Sequence, residues 1–265
     1  MNEDYQNDWI NDRSAKYREF FNLGNDVALI SDEAKPPELS TEAAAALERF
    51  NIEWHFIPTN DAVPVDDDYL KRFYPTSKRL FAPNREHQID VRKTLVEGHK
   101  AQQGIIVGIE TTEKPNYLPE NRQFYGTQYG HDATTDPFAV YFGQAEMTNG
   151  TRFDHDFGLI QRFLQIANKD MRERKILPEG YQVKICPPAI FNLIGTVFHQ
   201  EWSATQTLEL GFYYDERGNA TSMTVGANAP NDFSFIDVVE GEFGWALSGF
   251  RLAIMPESPS QTGKK

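Results

Sequence analysis

The chain has 265 residues, which at roughly 150 residues per domain means one large domain or two modest ones. Apolar residues make up 40% and charged residues 25%, and 19 Phe with 11 Tyr supply enough large apolar surface to exclude a disordered chain. The formal charge of −13 argues against binding nucleic acid or anionic membranes by bulk electrostatics, and the lone Cys186 excludes an intrachain disulfide and a thiolate-built zinc site.

From the N-terminus, Tyr5, Trp9, Tyr17, Phe20 and Phe21 recur at helical spacing, which predicts a helix over residues 5–22 closed by Gly24. Val27–Ile30 reads as a short strand. Ser40-Thr41-Glu42 offers a cap for an alanine-rich helix over Ala43–Phe50. Ile52–Ile57 alternates, with Ile52, Trp54 and Phe56 on one face and Glu53 and His55 on the other, the pattern of a strand. Asp66-Asp67-Asp68 ahead of Tyr69–Phe73 puts acids in the first turn of a helix and Lys71 and Arg72 in its last, as the macrodipole favours. A further helix is expected over 84–103 and a buried strand over Gly104–Ile109. Residues 111–135 have no clean periodicity but carry four aromatics, so an ordered loop is expected there.

Asp136-Pro137 has the chemistry of a helix start, with Phe138, Tyr141, Phe142 and Ala145 as its apolar stripe. A longer helix is expected over 156–174, with Phe157, Ile160, Phe163, Leu164, Ala167 and Met171 facing inward. Gln182–Cys186 is a strand, and Ala189–Phe198 fits either helix or strand. Leu208–Tyr214 and Ala220–Val225, joined by a polar turn, read as a β-hairpin. Phe243–Met255 is apolar and again fits both, and Pro256–Lys265 is a polar, disordered tail. The fold class is therefore α+β (or α/β), a mixed sheet packed with helices and an antiparallel hairpin in the C-terminal third. One domain over residues 1–255 is expected; Asn149-Gly150 is the weak point where a boundary would fall. No secretory signal and no apolar run of membrane-spanning length is visible, so a soluble cytoplasmic protein is expected.

Dinucleotide, P-loop, serine-hydrolase and zincin motifs are all missing from the sequence. Chemistry then falls to the histidines. Of the six, His131 is followed by Asp132, and His155 lies between Asp154 and Asp156; His199 has Glu201 two residues on. Imidazoles and carboxylates converging on one point bind divalent metals or perform acid–base work. The expected catalytic set is His131, Asp132, His155 and His199, with Asp154, His155 and His131 as ligands of a divalent metal. Each has a plainer use: Asp154 or Asp156 caps the next helix, His131-Asp132 forms a turn, and His199 packs among aromatics. His99 lies in a polar line with Gln88 and Arg92 inside an apolar arc, which a solvated core edge explains. Cys186 suits a buried structural thiol better than a nucleophile. Asp232, Asp237, Glu240 and Glu242 are uncompensated, and a solvated loop with Asp232 capping a helix accounts for them.

Two functions compete. The first is a small-molecule hydrolase with a His/Asp, metal-assisted site. The second is a non-catalytic interaction or ligand-binding protein that offers its acidic surface to a basic protein partner.

Overall fold

A computed structural model describes residues 3–31, 34–77, 80, 91–111, 136–147, 152, 155–204, 208–214, 220–226, 232–238 and 248–257. Among them are seven α-helices: α1 (Glu3–Phe21), α2 (Thr41–Arg49), α3 (Asp67–Phe73), α4 (Val91–Ala101), α5 (Phe142–Ala145), α6 (Phe157–Glu173) and α7 (Pro188–Val197). Eight strands accompany them: β1 (Ile52–Phe56), β2 (Ile106–Glu110), β3 (Tyr181–Ile185), β4 (Leu208–Tyr214), β5 (Ala220–Gly226), β6 (Phe235–Val238), β7 (Ser248–Phe250) and β8 (Leu252–Pro256). The fold is α+β. One sheet, in the order β1-β2-β8-β3, is antiparallel throughout. The other, β6-β5-β4-β7, holds the expected β4–β5 hairpin and is mixed because β7 runs parallel to β4.

The first sheet is buried on both faces. Along β8, Leu252 and Ile254 join the cluster of α2 and α6, whereas Ala253 and Met255 join that of α1, α3, α4 and α7. This is the two-residue side-chain period applied to a strand with helices on either side. It also explains why 243–255 shows no alternation: β8 has no solvent face to mark with polar residues. The chain passes from the second sheet to the first at Arg251, between β7 and β8. There the Arg251 guanidinium donates to both oxygens of Glu209 on β4 and to the backbone oxygen of Glu110 on β2. Arg152 completes a second buried pair of contacts, to Glu110 and to Asp136. Five buried ionisable groups thus tie the sheets and the segment before α5 together.

Both edges of the first sheet are covered by side chains. On β3, the Asn168 amide of α6 accepts from the Val183 N–H at 2.7 Å and donates to its carbonyl at 2.8 Å, as a neighbouring strand would. On β1, the Trp54 carbonyl accepts from Trp9 Nε1 at 3.0 Å and from Arg13 Nε at 3.3 Å, so α1 is laid along that edge.

Several local expectations need correcting. Val27–Ile30 is not a strand: Leu29 and Ile30 are buried, but the backbone there is tied by isolated bonds such as Thr59 N–H to the Leu29 carbonyl. Helix α1 is closed by Asn22 rather than Gly24; Asn22 takes the left-handed conformation (φ 57°) and Leu23 N–H bonds back to the Arg18 carbonyl. Asp136 accepts from Phe138 N–H, but it opens only a short 3-10 turn at Ala139–Tyr141 and one turn of helix, which stops where Glu146 takes the left-handed conformation (φ 62°). Phe157 does not face inward; it is 38% exposed with its ring edge-on to Phe212. Asp232 caps no helix: it accepts from Thr76 Oγ1 and Ser234 N–H just ahead of β6. Order also runs past 255, since Pro256 ends β8 and Glu257 N–H bonds the Gly180 carbonyl.

Candidate metal centre

Strand periodicity puts Glu53 and His55 on one face of β1, two residues apart. His199 reaches the same place from another direction. It lies just past the last turn of α7, its N–H bonded to the carbonyls of Ile194 and Gly195, and precedes a 3-10 turn over Gln200–Ala204. Phe198 packs its ring 4.6 Å from His55, which seats the end of α7 against β1. Glu53, His55 and His199 each offer a ligand atom, and these atoms lie within 4.8 Å of one another.

The separations suit a small cation. Glu53 Oε1 is 3.2 Å from His55 Nε2, and Glu53 Oε2 is 3.5 Å from His199 Nε2. Zinc bonds of about 2.0–2.1 Å place tetrahedral ligand atoms about 3.3 Å apart. Yet neither contact is aligned as a hydrogen bond. His199 Nε2 and both ring nitrogens of His55 are buried polar atoms without a hydrogen-bond partner. Such atoms are costly to leave unmade, and a metal ion is one group that satisfies them.

Charge at the site runs the same way. Burial alone would raise the Glu53 carboxyl, but the close contacts and charges of His199 and His55 outweigh it and hold the group well below the usual carboxylate range. The carboxylate is therefore anionic. His55 is pushed down to about 4, first by burial, with the charges of Arg13 and His199 acting in the same sense against Glu53. A neutral imidazole is the form that ligates. The position just past the C-terminus of α7 also favours a cation.

Each of two ligands is held from behind. His199 Nδ1 lies 2.8 Å from Glu201 Oε1, and the ring stacks on Trp202 at 4.6 Å with the planes 7° apart. Arg251 in turn lies 3.9 Å from the Trp202 ring. Arg13 Nη2 donates to Glu53 Oε1 at 2.7 Å, which leaves Oε2 turned to His199. Carboxylate–histidine–metal relays and anchored ligating carboxylates have this form.

Of the residues expected from sequence, His199 belongs to this cluster. His155 is buried just ahead of α6 and is not one of the three clustered ligands. His131, Asp132 and Asp154 lie outside the described residues. Asp156 serves as the N-cap of α6, accepting from Leu159 N–H at 2.8 Å. His99 is a core residue: Tyr69 Oη and Tyr74 Oη sit 3.1 and 3.2 Å from its two nitrogens, while Arg92 is exposed and pairs with Asp67. Cys186 is buried, its thiol pushed well up by burial and then by the Glu209 charge, as expected of a structural thiol. Sequence reasoning paired Glu201 with His199 but missed Glu53 and His55 as the residues that join them. The Glu-x-His pattern on the polar face of a strand was the available signal.

Comparison with known proteins finds no matching family model, no similar curated protein and no matching solved structure.

Proposed function

We propose that Glu53, His55 and His199 bind a divalent metal, zinc by preference, and that the bound metal serves hydrolysis of a small molecule. The observation that carries this reading is the convergence of one anionic carboxylate and two imidazoles whose facing nitrogens are buried and make no aligned hydrogen bond. Two nitrogens and one oxygen are a zinc-type donor set that leaves a fourth position for water. A metal so held supplies an acidified water, available as hydroxide near neutral pH. The protein's own part is to fix the donors: β1 spaces Glu53 and His55, the end of α7 brings His199, and Arg13 and Glu201 hold a ligand each. Glu53 at 36% and His199 at 14% side-chain exposure leave the site reachable from solvent. His131, Asp132, Asp154 and His155 have no part in this reading.

The test is turnover of 4-nitrophenyl acetate by the chain freed of metal, with and without one equivalent of zinc, beside His199→Ala. The reading expects hydrolysis that needs zinc, is abolished by a chelator and is absent from the variant. Equal rates in the variant and the wild-type chain would reject it.

A further inference from the structure

The two oxygens of Glu53 are held unequally. Oε1 accepts from Arg13 Nη2 at 2.7 Å, the length of a charge-assisted bond. Oε2 lies 3.5 Å from His199 Nε2, without the alignment of a hydrogen bond. Arg13 is itself fixed on three sides of its planar head. Nη2 meets Glu53, Nη1 donates to Asp12 at 2.7 Å, and Nε donates to the Trp54 carbonyl at 3.3 Å. Its guanidinium carbon also lies 5.7 Å from the ring of Trp9, whose indole N–H bonds the same carbonyl. Trp54 stands between Glu53 and His55 on β1. One guanidinium of α1 therefore grips both the strand between two ligands and the carboxylate of the first.

Resting on the metal-centre reading, we infer that Arg13 is a positioning residue that restricts Glu53 to one ligating oxygen, Oε2, and so keeps a coordination position open for water or substrate. A carboxylate can take a metal through one oxygen or through both. Beside two histidines, ligation by both oxygens fills four positions, as in a closed structural centre. Ligation by one leaves the fourth free, as in a catalytic centre. A guanidinium on Oε1 works against the first arrangement, because a metal drawn to that oxygen must approach a like charge. The effect is confined to the carboxylate, since Arg13 makes no hydrogen bond to either imidazole.

Cobalt(II), a coloured stand-in for zinc, separates the two claims. The full chain is loaded with cobalt and titrated with azide, a small anion that takes an open metal position, while the visible absorption of the metal is recorded. The wild-type chain is expected to show the intense absorption of four-coordinate cobalt and to change it on binding azide. Arg13→Met is expected to keep its cobalt affinity within about tenfold, to absorb more weakly as Glu53 closes with both oxygens, and to bind azide at least tenfold more weakly. Arg13→Lys, which keeps a cationic donor, is expected to bind azide within threefold of the wild-type chain. If Arg13→Met does not fold, Arg13→Gln, which removes the charge but keeps a polar side chain, is read against the same outcomes. Unchanged azide affinity in the cobalt-loaded variant overturns the role of Arg13 alone, as does a folded variant that takes up no cobalt, or a wild-type chain that holds cobalt but not azide. A wild-type chain that takes up no cobalt overturns the metal-centre reading and this inference with it.

Discussion

At the scale of single residues, the centre depends on which atoms face which. Glu201 acts through His199: removing its carboxylate frees Nδ1 and lets the ring turn. Glu201→Ala should weaken zinc binding by about 10- to 100-fold, the usual cost of losing a partner behind a ligating histidine, as read by competition with a chelating dye. Unchanged affinity would deny Glu201 that role. His99 offers a separate pH test. Burial pushes it down to about 3 in the fold, against an ordinary value of 6.5. Its stabilising share is thus complete above pH 6.5 and is lost as pH falls toward 3, because the unfolded chain takes up a proton that the fold refuses. His99→Phe should flatten the dependence of urea-unfolding free energy on pH across that window, by up to about 1.4 kcal/mol per pH unit. An unaltered slope would contradict the buried neutral state. The chemistry of these residues was only partly legible. Adjacent pairs such as His131-Asp132 attract notice in a sequence, but adjacent side chains diverge. Residues two apart on a strand share a face, and Glu53 and His55 carried that signal without naming their third partner, which lies more than half the chain away at His199.

At the scale of elements, local chemistry was read well where it is local. Ser40 accepts from Ala43 N–H to cap α2, and Asp66 caps α3 through Asp68 and Tyr69 N–H. Asp156 caps α6 as one of the two expected acids. Asp156→Ala should cost about 1 kcal/mol in chemical unfolding, the typical value for a lost N-cap. The edge strands are different, because their protection comes from residues distant in sequence. Nothing in Asn168 announces that its amide completes the outer edge of β3. Asn168→Leu removes both bonds to Val183 and leaves that peptide unit to find water, and should destabilise by about 1–3 kcal/mol. Denaturation midpoints for the variant and the wild-type chain decide this, and coincident midpoints would contradict it. The failed strand at 27–30 belongs here too. Apolar residues in a row mark burial, and only a partner edge turns burial into a strand.

At the scale of the whole molecule, the two sheets meet over buried charge. Arg152 is 9% exposed, with Glu110 at 1% and Asp136 at 7%. Arg152→Met leaves two buried carboxylates without their cation and should destabilise by about 3–5 kcal/mol, against fractions of that for an exposed pair such as Lys93–Glu97. This network was not legible beforehand, since an Arg that pairs across 42 positions looks like any other Arg. The class of the fold was legible because helix and strand periods are, whereas the sheet order is set by contacts far apart in the chain. The metal centre is likewise a product of the tertiary fold: β1 and the end of α7 make it only when packed together. Calorimetric titration of the metal-free chain with zinc tests this most directly. One zinc per chain is expected, with no measurable binding by a folded His55→Gln variant. A wild-type chain that takes up no zinc, or a variant that binds it equally well, would contradict it.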